Sequence, residues 1–194
     1  MSDGTDGTGS TGTITHELAA GRVLRHLNAG TLLRDEWVGG DLIESDDPVR
    51  AGYERACLLA AMVPECGTAG DASACPASLL PAWLAELMPA IDDSVSSEAW
   101  PGVIRRVAAC VRRSGAIDDA GWLRLSAAVR LVAVREARSH VPSENMAPEI
   151  RQQVLDAIDG VIGLLEAQRR GDPIDESAAE ATRSAEATRA AEAA

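Results

Sequence analysis

The sequence predicts an all-α protein: a compact bundle of five or six helices with an extended alanine-rich C-terminal helix. Three observations predict it. Apolar residues recur at three- and four-residue spacing through most of residues 14–171. Helix punctuation brackets these runs, with Ser, Thr or Asp before them and Gly or Pro after. Residues 179–194 read AEATRS, AEATRA, AEAA, a composition that favours helix.

Residues 1–13 are Gly, Thr, Ser and Asp with almost nothing apolar, the composition of a disordered tail. Thr15 caps a helix over 16–28, with Leu18, Val23, Leu24 and Leu27 as its apolar positions. In 31–45, Gly39-Gly40 interrupts Leu32, Leu33, Trp37, Val38, Leu42 and Ile43. A helical turn followed by a loop is the reading taken there, with a small hairpin as the alternative. Asp46-Asp47-Pro48 then opens a helix over 48–63, closed by Pro64. Residues 65–74 form a small-residue loop. Cys75-Pro76 starts a helix that reaches Met88, with Pro81 splitting its first turns and Pro89 closing it.

The clearest amphipathic pattern lies in 97–114. Trp100, Val103, Ile104, Val107, Cys110 and Val111 share one arc of about 120°. Arg105, Arg106, Arg112 and Arg113 share an arc of about 100° on the other side. Ser114-Gly115 ends this helix as a left-handed cap, and Asp118-Asp119 caps the next, over 119–139. That helix carries two apolar stripes: Trp122, Leu125, Val129 and Val132 on one side, and Leu123, Leu131 and Val134 on the other. It is therefore expected to be the central helix of the bundle. A further helix over 147–170 has Ile150, Val154, Ile158, Val161 and Leu165 inward. The tetrapeptide at 90–93 recurs at 116–119, too short a repeat to define an architecture. In the tail, residues 172–194, a period of six gives no apolar stripe. It does give an i,i+3 ladder of Glu180, Arg183, Glu186, Arg189 and Glu192 that supports an exposed helix.

Composition excludes several chemistries. All 18 basic residues are Arg. Without Lys there is no Walker A loop, no Schiff-base enzyme and no pyridoxal-phosphate site in the usual form. A net charge of −12 argues against general nucleic-acid binding, which needs a basic surface. No signal-peptide pattern opens the chain, and the longest apolar run, 56–63, is too short to span a bilayer. The expectation is a cytoplasmic protein that does not enter membranes.

Among candidate sites, the face of Arg105, Arg106, Arg112 and Arg113 fits a phosphate or an acidic partner; its simplest reading is a solvated face paired with some of the 30 acidic residues. Cys75, read at a helix start, fits a thiol nucleophile or redox sensor with Cys66 as a resolving partner; its simplest reading is an ordinary cysteine beside a loop. Cys57 and Cys110 read as core residues. His16 and His26 lie about 80° apart around one helix and several turns apart, so they cannot share an ion, and the cysteines lack C-x-x-C spacing; no metal and no cofactor is assigned. Capping accounts for Asp92/Asp93 and Asp118/Asp119 better than acid–base catalysis does. The four tryptophans read as large core pieces.

The segments CPASLLPAWLA (75–85) and AWP (99–101), taken with the alanine-rich tail, resemble bacterial and phage-borne proteins that join a compact helical head to a repetitive C-terminus. The resemblance implies a fold style and a mobile-element context and carries over no functional residue. The leading expectation is a non-enzymatic interaction or assembly protein, associating with itself or a protein partner through the alanine-rich helix. The alternatives are a regulator using the Arg face and a thiol-dependent enzyme or sensor using Cys75.

Overall fold

The computed structural model describes residues 14–142 and 146–173. The expectations for 1–13 and 174–194 lie outside the described residues. The chain divides into two compact units, Met1–Ala116 and Ile117–Ala194. It is mainly helical. Among the described residues there are seven α-helices and one two-stranded antiparallel sheet.

The first unit opens with α1, His16–Ala29, whose N-cap Thr15 accepts from the Leu18 N–H and whose C-cap Gly30 is left-handed at φ 68°. Strands β1 (Val38–Ile43) and β2 (Gly52–Ala56) come next and pair, Val38 opposite Ala56 and Ile43 opposite Gly52. The register shifts between Gly39 and Leu42, where Gly40 adopts φ 77°. After the hairpin come α2 (Leu58–Met62), α3 (Pro64–Ala69), a 3₁₀ turn (Ala72–Ala74), α4 (Ala82–Asp93) and α5 (Trp100–Ser114). The core is built from α1, α2, the turn before α4, α4 itself and α5: Ala19, Ala20, Val23, Leu58, Leu59, Met62, Leu79, Leu80, Ala85, Met88, Ile104 and Ala108 are all buried.

The hairpin corrects the helix expected over 48–63. The Asp47-Pro48 start signal acts locally: Asp47 Oδ1 accepts from the Val49 N–H at 3.0 Å and the Asp47 carbonyl accepts from Arg50 at 2.9 Å. Only one turn forms at this start, because Gly52 sits at φ 128°, outside helical space, and Tyr53-Glu54-Arg55 form β2 against β1 instead; of the expected helix, only α2, Leu58–Met62, is helical. The same pairing makes Val38–Ile43 a strand of the small hairpin given as the alternative, where a helical turn and loop was the reading taken; residues 31–37 lead into it irregularly. Within the expected loop 65–74, Pro64 opens α3 rather than only ending the helix before it. Gly67 on α3 lies so close to the hairpin that a Cβ there would overlap Val38 Cγ1.

Two helix bounds also move. Residues 76–80 form a single turn, with the Pro76 carbonyl accepting from Leu79 at 2.8 Å and Leu80 at 3.2 Å, so α4 begins only at Ala82. It then runs through Pro89, which forfeits one backbone bond, to a C-cap at Ser94. Gly115 caps α5 in right-handed, not left-handed, conformation at φ −61°. Its lack of a side chain serves packing: a Cβ would lie 2.8 Å from His16 Nδ1. The His16 Nε2–H in turn donates to the Leu79 carbonyl at 3.1 Å.

The second unit holds α6 (Asp119–Ser139) and α7 (Pro148–Arg170), packed as a hairpin. Asp118 caps α6 by accepting from the Gly121 N–H at 2.7 Å. Arg135 reaches Glu166 at 2.5 Å, and Arg138 forms a bidentate pair with Asp159 at 2.6 and 2.9 Å. Ser126, Ala127 and Leu131 are the buried residues of α6; α7 has none. The expected central position of α6 is therefore not realised. Leu123 is 58 %, Val132 71 %, Val129 42 % and Leu125 39 % exposed.

The tryptophans correct another expectation. All four are half-buried, and the core is made of Leu, Ala, Met and Val with Ile104 and Cys66. An indole is too large to bury fully among many alanines and carries an N–H that needs a partner.

Candidate functional sites

Three places in the chain gather chemistry-bearing side chains. The first is the outer face of α5. Arg105, Arg106, Arg112 and Arg113 are all exposed, and α5 contains no acidic residue. Arg112 Nε pairs with Glu17 at 2.7 Å. Arg113 Nε donates to the Ala109 carbonyl at 3.2 Å, and Arg105 Nη1 to the Pro101 carbonyl at 3.5 Å. Among the described residues, no carboxylate pairs with Arg105, Arg106 or Arg113. The face is an exposed run of guanidinium groups about 12 Å long, from the helical rise between Arg105 and Arg113. Cys110 is exposed beside it, contrary to the core position expected for it. It lies toward the margin of the apolar arc, and Ala108 takes the buried place.

The second place is the pair Cys66 and Cys75. Cys66, on α3, is fully buried; Cys75, just after the 3₁₀ turn, is half-buried. The turns between them fold the chain back. The Cys66 carbonyl accepts from the N–H of Gly70 at 2.9 Å and of Asp71 at 3.3 Å. Gly70 takes φ 63°, a conformation glycine adopts without strain. Asp71 then accepts from the Ser73 N–H and hydroxyl, each at 2.9 Å, and the Cys75 N–H closes onto the Ala72 carbonyl at 3.0 Å. The two thiols are close enough to influence each other's ionisation, and the Cys75 thiol also lies 4.0 Å from the Pro76 carbonyl. A hydrogen bond from Cys66, then the Leu80 N–H, holds the Cys75 thiol below its usual range. Donating that bond, together with burial, pushes the Cys66 thiol far up. Cys75 precedes a single turn, not a helix N-terminus, so a helix dipole is not the source of its shift.

The third place was legible in the sequence only as the pair Asp92/Asp93, read there as a helix cap; Asp92 is instead buried in the last turn of α4. A cleft of about 120 Å³ is lined by Asp35, Glu36, Trp37, Cys57, Asp92 and Asp93, among others. Asp92 is 2 % exposed and accepts from the Trp100 indole N–H at 2.6 Å. Burial pushes its carboxyl above the usual range, and the Trp100 bond partly opposes that. Arg34 donates to the Asp93 and Val95 carbonyls at 2.9 and 2.8 Å and lies 5.9 Å from the Trp100 ring centre. Asp35, at φ 63°, donates its N–H to Asp93 Oδ1 at 3.3 Å. These bonds join the 31–37 segment to the end of α4. Burial also raises the Cys57 thiol, and its half-buried position suits packing rather than reaction.

The histidines have separate roles. His16 packs on Gly115. His26 is 1 % exposed; its Nε2 accepts from Arg25 at 2.5 Å and its Nδ1–H faces the Thr31 hydroxyl at 2.9 Å. Burial first, and then Arg25, lower its pKa to about 4. His140 is exposed at the end of α6. Among the described residues no group of three or more His, Cys, Asp or Glu is placed to hold a metal ion, and no helix is long and apolar enough to cross a membrane.

No protein-family profile, curated protein or solved structure matches the chain.

Proposed function

We propose that the protein is a non-enzymatic interaction protein that self-associates, the alanine-rich segment 172–194 of one copy packing along the open stripe of α6 in another. The observation that carries this reading is the exposure of Leu125, Val129 and Val132 at i, i+4 and i+7 on α6. At 100° per residue that stripe points roughly opposite to Ala127 and Leu131, the buried side. A helix apolar on two sides and covered on one leaves an apolar surface in water.

The occupant is argued from length, side-chain size and charge. Twenty-three residues, 172–194, follow the left-handed cap at Gly171. As a helix they would extend about 34 Å, enough to span a stripe of about 10 Å. Alanine lets helix backbones approach closely. The segment carries six acids against two arginines, and α6 carries four arginines against two acids.

The test is solution mass by light scattering. The full chain is expected to be a dimer or larger. A chain ending at Gly171 and the full-length Val132→Glu variant are both expected to be monomers. A monomeric full chain, or an unchanged mass in both variants, overturns the reading. Val132 is 71 % exposed, so the variant leaves the fold intact.

A second reading rests on the α5 face, where three arginines have no carboxylate partner among the described residues. It makes the protein a regulator that binds an anionic ligand or acidic partner. Binding of pyrophosphate or a poly-glutamate peptide, weakened by salt and abolished in the Arg105→Ala/Arg112→Ala double variant, is the expected result. Salt-independent binding, or none, removes this reading.

A further inference from the structure

We propose that Arg22, Arg25 and Arg50 form a binding site for a small oxyanion of the phosphate class, at the place where the 47–50 turn packs on α1. The site is separate from the α5 face, and the inference is independent of self-association.

The backbone brings the three arginines together. Asp47 and Arg50 close one turn, the Asp47 carbonyl accepting from the Arg50 N–H at 2.9 Å. That turn lies against α1. A Cβ on Gly21 would stand 3.6 Å from Val49 Cγ2, and Arg22 Nε donates to the Pro48 carbonyl at 2.8 Å. Arg25 follows Gly21 by four residues and Arg22 by three, so it shares their side of the helix. Arg50 comes directly after Val49, on the turn that covers this side.

The charges there are incompletely matched. Arg22 is only 8 % exposed, yet among the described residues no carboxylate pairs with it. Its Nε and Nη1 donate to the Pro48 and Met62 carbonyls, at 2.8 and 3.5 Å, and Nη2 has no acceptor among the described residues. Arg25 also has no carboxylate partner among them. Its Nη2 donates to His26 Nε2 at 2.5 Å, and its Nε is buried with no acceptor. His26, with a pKa of about 4, is uncharged at neutral pH, so that bond brings no counter-charge. Arg50 has Asp47 Oδ2 at 3.4 Å, while Asp47 Oδ1 is engaged by the Val49 N–H. Burial lowers the pKa of Arg22, with Glu65 opposing and Arg25 adding to the shift. Burial also lowers that of Arg25, with Arg50 adding and Asp47 opposing. Both directions are those of cations held close together and short of counter-charge. Three guanidinium groups thus face the carboxylates of Asp47 and Glu65, and the balance stays positive in a chain of net charge −12.

An oxyanion would complete this arrangement. A buried N–H without an acceptor has lost its water and received no bond in return. Guanidinium groups approaching from two elements present donors in more than one plane. A tetrahedral phosphate has oxygens in several directions to meet them, whereas a carboxylate has two in one plane. The recognised group is the free phosphate ion or the terminal phosphate of a monoester.

The experiment titrates the full chain with inorganic phosphate and with glycerol phosphate, by calorimetry at low salt. Binding is expected, and added sodium chloride should weaken it. Arg25→Gln/Arg50→Gln is expected to weaken it about tenfold or more, with the far-UV spectrum unchanged. Arg22 is left in place because its bonds join α1 to the turn and to α2. Arg105→Ala/Arg112→Ala is expected to keep the binding, which separates this site from the α5 face. The His26 ring, bonded to Arg25, is a local reporter. Its proton resonances should move during the phosphate titration at constant pH and stay still in the Arg25→Gln/Arg50→Gln protein. Tighter binding of glycerol phosphate identifies a monoester as the source of the group. Equal or tighter binding of the free ion identifies phosphate itself, and either result upholds the site. No binding of either anion overturns the proposal. So does binding that survives in Arg25→Gln/Arg50→Gln or disappears in Arg105→Ala/Arg112→Ala.

Discussion

Met1–Ala116 and Ile117–Ala194 contain helices of opposite character. The first unit is assembled from short pieces: α2 and α3 have 5 and 6 residues, too few to be stable alone. Yet all of α2 is buried, because α1, α4, β2 and α3 cover it from several sides. The second unit has the two longest helices, of 21 and 23 residues, and only three buried residues between them. Burial follows the number of elements that cover a surface, not helix length or the regularity of an apolar stripe. A single antiparallel pair covers one side of each helix and leaves the other to solvent or to another chain.

Substitutions that shorten apolar side chains give the widest separation between the units. Leu59→Ala, at a site 1 % exposed, is expected to cost about 2–5 kcal/mol. Val132→Ala should stay within about 0.5 kcal/mol when measured at concentrations where the protein is monomeric. Urea denaturation reads both, and similar losses would break the contrast.

Acid sharpens the contrast next, through His26 in the first unit. Its folded pKa is about 4 against an ordinary 6.5. Below pH 6.5 the unfolded chain binds a proton that the folded chain refuses. Stability from this group is thus fully present above pH 6.5 and lost as pH falls toward about 4. The loss is on the order of 3 kcal/mol, and His26→Gln should flatten the slope in that window. Identical slopes for the two proteins would remove His26 as the source.

Trp100→Phe removes the donor that satisfies Asp92 while keeping most of the ring packing. It should destabilise by about 1–3 kcal/mol, with the loss smaller at acid pH, where the carboxyl is protonated and needs the donor less. Denaturation at neutral and mildly acid pH checks this. The smallest effect is expected in the second unit. Arg138→Ala breaks an exposed pair with Asp159 and should produce a slight loss of helix stability that vanishes at high salt. Thermal melts followed by far-UV circular dichroism at two salt concentrations would show it.

The helices that match the sequence reading closely are those with strong local ends. Thr15 and Gly30 bound α1, Asp118 opens α6, and Pro148 and Gly171 bound α7. The region that departs from it, 31–74, has equally strong local signals that act over a single turn. Asp47-Pro48 does start a turn, but the Val38–Ala56 pairing, eighteen positions apart in the chain, decides the conformation of the residues after it. Pro89 would end an isolated helix; within α4 its neighbours Ala85, Met88 and Asp92 are all buried and hold the helix together. The Arg face of α5 was legible because helical period alone places its four side chains. Cys66 and Cys75 were legible as residues, but their approach depends on three successive turns. The Asp92–Trp100–Arg34 cluster left no local trace beyond the Asp92/Asp93 pair, because Arg34 lies 59 and 61 positions from the carbonyls that hold it there.

The sequence by itself determined the predominantly helical character, the bounds of the long helices, the placement of the arginines, and the exclusion of lysine-dependent chemistry. Each follows from interactions within a few residues, from periodicity, or from composition. Only the tertiary structure decided the hairpin, the identity of the core, the open side of α6 and the meeting of the two thiols. Those depend on which distant surfaces cover one another, and a local free-energy preference of about 1 kcal/mol per signal is overridden when several residues are buried together.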